Sequence, residues 1–207
     1  MKIVFDFAGV LFQWQPQRLL RREIPQVAHD DASAAYWVSH FFQGYDGDWG
    51  DFDRGTVDVA DLVAHIAART GLMSHEVQRV VDGVPHELQP MPDSVTLLRR
   101  LRDEGHELYF LSNMPAPYAD HLERQHDFVG WFCDGLFSAR VNLAKPDPAI
   151  FELAARQCGL VPGRTVFIDD VQANIDTALD LGYDAIRFTG AGALRQALAA
   201  RGLLPPA

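Results

Sequence analysis

Four short apolar runs constrain this chain more than any other feature, because each ends on polar residues. Ile3-Val-Phe5 runs into Asp6 and then Ala8-Gly9. Glu107-Leu-Tyr-Phe-Leu111 ends at Ser112-Asn113, Thr165-Val-Phe-Ile168 at Asp169-Asp170, and Asp184-Ala-Ile-Arg-Phe188 at Thr189-Gly190. Leu136-Phe-Ser138 is a weaker run of the same kind. Such runs read as strands buried on both faces of a parallel sheet. Helical patterns separate them. Val95, Leu97, Leu98 and Leu101 predict a helix over 94–104, stopped by Gly105. Asp147-Pro148 carries the cap and first-turn signature of a helix reaching Cys158, which Gly159 ends. Helices over 173–181 and 193–201 are stopped by Gly182 and Gly202. This alternation predicts βαβ units with right-handed crossovers, and ligands of such sheets sit outside the carboxyl ends of the strands. Asp6, Ser112 and the Asp169-Asp170 pair fall at those ends.

Residues 15–89 break the alternation. They read as helices alone, over 32–42, 58–69 and 74–82, with Asp58 and Ser74 in helix-cap positions. A block of that length is too long for a loop. The expected architecture is therefore α/β. A Rossmann-like core, residues 1–14 and 90–207, has helices on both faces of its parallel sheet, and an all-helical cap domain, 15–89, lies over the sheet's active edge.

Composition narrows the partners. The 207 residues are 48% hydrophobic and 22% charged, an ordinary globular mixture with length enough for a proper core. The formal net charge is −10, and Lys2 and Lys145 are the sole lysines. An acidic chain without basic runs suits neither nucleic acid nor an anionic membrane, so an anionic substrate must be met by a local device: a lysine, backbone amides or a metal. Cys133 and Cys158 make no disulfide framework or metal quartet, no run approaches the length of a membrane span, and the promptly polar start at Lys2 leads us to expect no signal peptide. A reduced, cytoplasmic setting is expected; the oligomeric state is left open.

Asp6, Ser112, Lys145 and Asp169-Asp170 each have an ordinary explanation as a turn former, a loop residue or a helix cap. Together on one edge they do not. Carboxylates meeting there would repel one another unless a cation lay between them, and a hard divalent ion such as Mg²⁺ takes oxygen ligands of this kind.

These residues carry a resemblance. The chain resembles the haloacid dehalogenase-like hydrolase superfamily through four ordered motifs: Phe5-Asp-Phe-Ala-Gly-Val-Leu11, Leu111-Ser-Asn113, Lys145-Pro-Asp-Pro148 and Phe167-Ile-Asp-Asp170. Within it, the chain is similar to the branch of glucose-1-phosphate phosphatases and epoxide-hydrolase phosphatase domains, whose helical cap falls at the same place. Residues 44–62, with Trp49, Phe52 and Arg54-Gly55, resemble the cap of that branch. The resemblance implies that Asp6 is the nucleophile, forming an aspartyl-phosphate, that Ser112 hydrogen-bonds the phosphoryl group, and that Lys145 neutralises both. Mg²⁺ would be held by Asp6, the carbonyl of Ala8, Asp170 directly and Asp169 nearby through water. Asn174, one turn beyond Asp170, either steadies this cluster or faces solvent. The implied substrate is a small phosphorylated metabolite, with Asn113, Arg54 and Trp49 as candidate contacts.

One departure matters. Phosphatases of the family usually carry a second aspartate two residues after the nucleophile, as general acid; here that position is Ala8. Loss of a general acid commonly costs roughly 10²–10⁴-fold in rate. Three readings stay open: a phosphatase in which substrate, water or a cap residue stands in; a metal-independent 2-haloacid dehalogenase; or a non-catalytic phosphate-binding protein. Phosphonate cleavage of the family's kind needs a cap lysine, which residues 13–90 lack. The paired Asp169-Asp170 favours metal and phosphate over a substrate carboxylate. His40, His86 and His121 are candidate replacement donors. Tyr36, Trp37, Phe41, Phe42, Tyr45, Trp49 and Phe52 either build the cap's own core or, in part, face the substrate.

Overall fold

The computed structural model describes residues 1–205. Its strands are β1 (Lys2–Phe5), β2 (Glu107–Ser112), β3 (Asp134–Phe137), β4 (Thr165–Asp169) and β5 (Asp184–Arg187). They form one five-stranded sheet in the order β3-β2-β1-β4-β5, parallel throughout. The fold is the expected Rossmann-like α/β core. Ile3, Phe5, Phe110 and Ile168 face one side, with Leu97, Leu98 and Leu101 of α6 (Pro92–Asp103) and Leu194 and Leu198 of α10 (Ala191–Ala200). Val4, Tyr109, Leu111 and Phe167 face the other, against Ile150, Phe151 and Ala154 of α8 (Pro148–Cys158) and Ile175 of α9 (Gln172–Asp180). Both faces are covered, which is why the strands read as continuous apolar runs rather than alternating ones.

The strand order reverses direction at β1 and β4, the place where such sheets open a crevice. Phe5 pairs with both Phe110 and Ile168. The residues just beyond them, Asp6, Ser112 and Asp169, are thereby brought to one edge.

Five helices lie between β1 and α6: α1 (Pro16–Glu23), α2 (Asp31–Phe42), α3 (Gly47–Asp53), α4 (Val59–Thr70) and α5 (Ser74–Glu87). The chain leaves and returns side by side, Gln13 N donating to the Gln89 carbonyl and Met91 N to the Leu11 carbonyl, each at 2.8 Å. Asp58 caps α4 as expected, accepting from Asp61 N at 2.9 Å. Ser74 is not a cap: Met73 holds the N-cap position, and the Glu76 carboxylate accepts the Met73 N–H at 2.9 Å. Helix α5 continues past 82 through Pro85, because Val84 and Leu88 extend its buried side. α1, α3 and α7 (Ala116–Gln125) are not anticipated: α1 is mostly polar, α3 has two glycines in seven residues, and α7 has one proline just before it and a second in its first turn. Among the described residues no helix is long and apolar enough to cross a membrane, and both cysteines are unpaired.

The insertion meets the core at a short 3₁₀ turn, Ser138–Arg140, after β3. The buried Ser138 hydroxyl donates to the Asp53 carbonyl of α3 and accepts from Met114 N at 2.8 Å. The Asn142 amide donates to the Arg54 carbonyl at 2.9 Å. Gly55, at φ +71°, lies so close to Ala139 that a Cβ would overlap its backbone. These contacts pin the C-terminal end of α3 to the core. Ser138→Ala leaves a buried carbonyl and a buried N–H without partners, so unfolding in urea should show a loss of about 1–3 kcal/mol. An unchanged midpoint would mean that Ser138 does not carry this junction.

Candidate active site

Lys145 organises the site. It is buried, and its Nζ lies 2.6 Å from Asp169 Oδ2 and 3.1 Å from Asp6 Oδ2. Burial alone would lower its pKa, but Asp169 and then Asp6 outweigh that and hold it above the ordinary lysine value. Lys145 is placed by Asn113: Asn113 Nδ2 donates to the Lys145 carbonyl and Lys145 N donates to Asn113 Oδ1, both at 2.8 Å. The polar atoms of Asn113 are thus engaged with the chain, although the residue lines the cavity.

Asp169 is fully enclosed. Besides Lys145, it accepts from Val171 N at 2.8 Å and from Asn174 Nδ2 at 3.0 Å on both oxygens. Asn174 is buried and steadies the cluster, which decides between its two readings. Asp170 differs. Half-buried, its carboxylate accepts no hydrogen bond from another of the described residues, and burial followed by the charge of Asp169 raises its pKa. Gly9, at φ +82°, packs so closely that a Cβ there would overlap the Asp170 carboxylate, so this turn admits only glycine.

Asp6 accepts from Phe7 N at 2.7 Å. Burial pushes its pKa up to about 7, with Lys145 opposing and Asp169 and Asp170 adding. One oxygen each from Asp6, Asp169 and Asp170 lie within 4.8 Å of one another. One lysine faces three carboxylates, so the cluster is short of positive charge. A divalent cation fits that deficit: the Asp170 oxygens are open, each Asp6 oxygen keeps a lone pair beside its one contact, and the Ala8 carbonyl accepts no backbone hydrogen bond among the described residues. Asp169, committed to Lys145 and Asn174, supports the others more than it competes for an ion. The fully buried Ser112 hydroxyl sits close enough to Asp6 to favour its anion, yet has no hydrogen-bond partner of good geometry. An unsatisfied buried hydroxyl beside the carboxylates is what a tetrahedral oxyanion would occupy.

Above the cluster opens a cavity of about 440 Å³ whose floor includes Asp6, Lys145 and Asp170. Its walls are mainly apolar and aromatic: Trp14, Trp49, Val84, Leu88, Met114 and Tyr118. Trp49 is thus part of the cavity wall. Tyr45 also lines the cavity, whereas Phe41 and Phe42 are wholly buried in the insertion's core and Tyr36 stacks on His40 at 5.5 Å, away from the cavity. Arg54 does not reach the cavity; its guanidinium turns to Asp51 at 3.5 Å and Asp46 at 4.0 Å. Nor do His40, His86 and His121 line it. Asp53, unmarked in the sequence reading, does. The signal was present: Asp53 shares a helical face with Trp49 and Phe52, at i, i+3 and i+4 spacing.

The model of the haloacid dehalogenase-like hydrolases matches residues 3–182. A sesquiterpene phosphatase of Aspergillus oryzae is 26% identical over 190 residues, covering 90% of this chain and 88% of that one. The D-ribitol-5-phosphate phosphatase of Bacteroides thetaiotaomicron is 31% identical over 205 residues, covering 95% of each. Among solved structures, a family enzyme of B. thetaiotaomicron in complex with magnesium and inorganic phosphate superposes with a TM-score of 0.71 at 22% identity, over 90% of this chain and 92% of that one. With the motifs in order on one sheet edge and the family model matching most of its length, the chain belongs to the haloacid dehalogenase-like hydrolases.

Proposed function

We propose that the protein is a Mg²⁺-dependent phosphatase of small phosphate monoesters, acting through phosphorylation of Asp6. The observation that carries this reading is the charge-deficient cluster itself, three carboxylates on one buried lysine under an open cavity. The phosphatase names of the relatives support it. A 2-haloacid is disfavoured, since its carboxylate would have to approach Asp170 with Lys145 already engaged by Asp6 and Asp169.

In this reading residues 15–89 serve as a cap domain. Asp6 Oδ attacks phosphorus in line, forming an acyl phosphate as the substrate's ester P–O bond breaks and the leaving oxygen departs; water then attacks phosphorus, the P–Oδ bond breaks and inorganic phosphate is freed. Lys145 holds Asp6 in its anionic, attacking form and offsets the charge arriving on the phosphoryl oxygens. Ser112 donates its unused hydroxyl to one of those oxygens. A Mg²⁺ ion held by Asp6, Asp170 and the Ala8 carbonyl, with Asp169 behind them, supplies charge neutralisation. The apolar walls suit an uncharged, apolar alcohol better than a second anion, because Lys145 is the one cationic side chain lining the cavity among the described residues. The unpaired cysteines suit a reducing, cytoplasmic setting.

Asp6→Asn keeps the size of the side chain and removes the nucleophile. Against a panel of monoesters from aryl to alkyl phosphates, wild type should hydrolyse some in Mg²⁺ and none in EDTA, and Asp6→Asn none in either. Turnover by Asp6→Asn would rule out the mechanism. Separately, titration calorimetry of Mg²⁺ into Asp170→Ala should show affinity at least about tenfold weaker than wild type; equal affinity would remove Asp170 from the ligand set.

A further inference from the structure

The reaction proposed above leaves one proton unassigned. An alkoxide is a poor leaving group, and Ala8, where the family's usual acid would stand, has no proton to give. The donor must line the cavity, hold a proton at working pH, and lie away from Asp6, because in-line displacement puts the leaving oxygen on the side of phosphorus opposite the nucleophile.

Few groups meet these conditions. Tyr118 lines the cavity, but its hydroxyl already donates to the Val81 carbonyl at 2.9 Å. Tyr45 accepts from Trp14 Nε1 at 2.6 Å and keeps its own proton, but burial raises its pKa above the usual phenol value, further from neutrality. Asp53 remains. It ends α3 and lines the cavity. The residue is only 6% exposed, yet no hydrogen bond to its carboxyl is found among the described residues. Its neighbour Arg54 turns to Asp51 and Asp46 instead. A buried carboxyl without a partner stays neutral, and a neutral carboxyl is a donor. Here burial pushes the pKa up to about 8, with Arg54 opposing and Asp6 adding. The anchoring of α3 through Ser138, Asn142 and Gly55 holds it in place.

We propose that Asp53 is the general acid of the phosphatase reaction, a carboxyl from the inserted helices that performs the task of the side chain missing at Ala8. This rests on the phosphatase reading. As Asp6 Oδ bonds to phosphorus and the ester P–O bond breaks, the Asp53 proton passes to the departing oxygen and the product leaves as the neutral alcohol. Asp53 is then a carboxylate. It takes a proton from the water that attacks phosphorus, the P–Oδ bond to Asp6 breaks, and both aspartates return to their starting states.

The test is the leaving-group dependence of kcat/KM for wild type and Asp53→Asn, which preserves shape and removes the acid. With 4-nitrophenyl phosphate, whose leaving group needs no proton, the variant should stay within about fivefold of wild type; with butyl phosphate it should lose roughly 10²–10⁴-fold. Equal losses on both esters, or no loss on either, would overturn the proposal while leaving the phosphatase reading standing. A steeper dependence in Tyr45→Phe with none in Asp53→Asn would overturn it in favour of the phenol. Wild type that hydrolyses neither ester would remove both readings together.

Wild type alone offers a second measurement that needs no folded variant. Because the acid acts when protonated, the dependence should be shallow well below the Asp53 pKa and steepen above it. The charged and titratable groups near enough to act on Asp53, namely Asp6, Arg54, Tyr45 and Tyr118, set where that change falls. A dependence that is steep and unchanged with pH would also overturn the assignment.

Discussion

The site depends on one buried ammonium. Lys145 reaches two carboxylates on neighbouring strands at 2.6 and 3.1 Å, and without it Asp6 and Asp169 could not both be ionised in so enclosed a place. A single lysine does not balance the set once Asp170 is added. The fold therefore presents a cluster short of positive charge, and that shortage, more than any one contact, is the ground for proposing a divalent cation, whose charge a phosphoryl group would then meet. The supports of Lys145 follow the same logic. Asn113 exchanges two hydrogen bonds with its backbone, and Asn174 holds Asp169 from the other side. Neither need touch the substrate to matter.

The sheet explains how distant residues meet. β1 sits between β2 and β4, so Asp6, Ser112 and Asp169 are adjacent in space although far apart in sequence. The loop after β3 brings in Lys145 and, through Ser138, fixes the end of α3 to the core. One stretch of chain thus positions two residues that line the same cavity, Lys145 from the core and Asp53 at the end of α3. The proposed chemistry draws on both, one from the core and one from the insertion.

Much of this was legible from the residues. The strands are recognisable because both faces of the sheet are covered, and their polar ends mark Asp6, Ser112 and Asp169-Asp170 in the sequence itself. Glycine stops and the Asp147-Pro148 cap set the later helices within a few residues. The insertion was harder. Helix α3 is short and carries Gly47 and Gly50, so its amphipathic face is masked. Asp53 sits among Asp46, Asp48 and Asp51, and only packing shows that three of these acids stay outside or pair with arginines while the fourth turns inward. Arg54 illustrates the converse: a cation beside the site in sequence, it satisfies its charge on surface acids and leaves the cavity apolar. The histidines offered as stand-in acids fail for the same reason, since nothing in a sequence states which way an insertion's side chains face.

The central claim is that Asp6 attacks phosphorus. Rapid acid quench during turnover of 4-nitrophenyl phosphate tests it most directly, because a good leaving group makes the first step fast and lets the intermediate accumulate. Mass spectrometry of the peptide carrying Asp6 should show one added phosphoryl group, lost on longer incubation as inorganic phosphate appears. Turnover with Asp6 unmodified at every quench time, or with the phosphoryl group on another residue, would contradict the account.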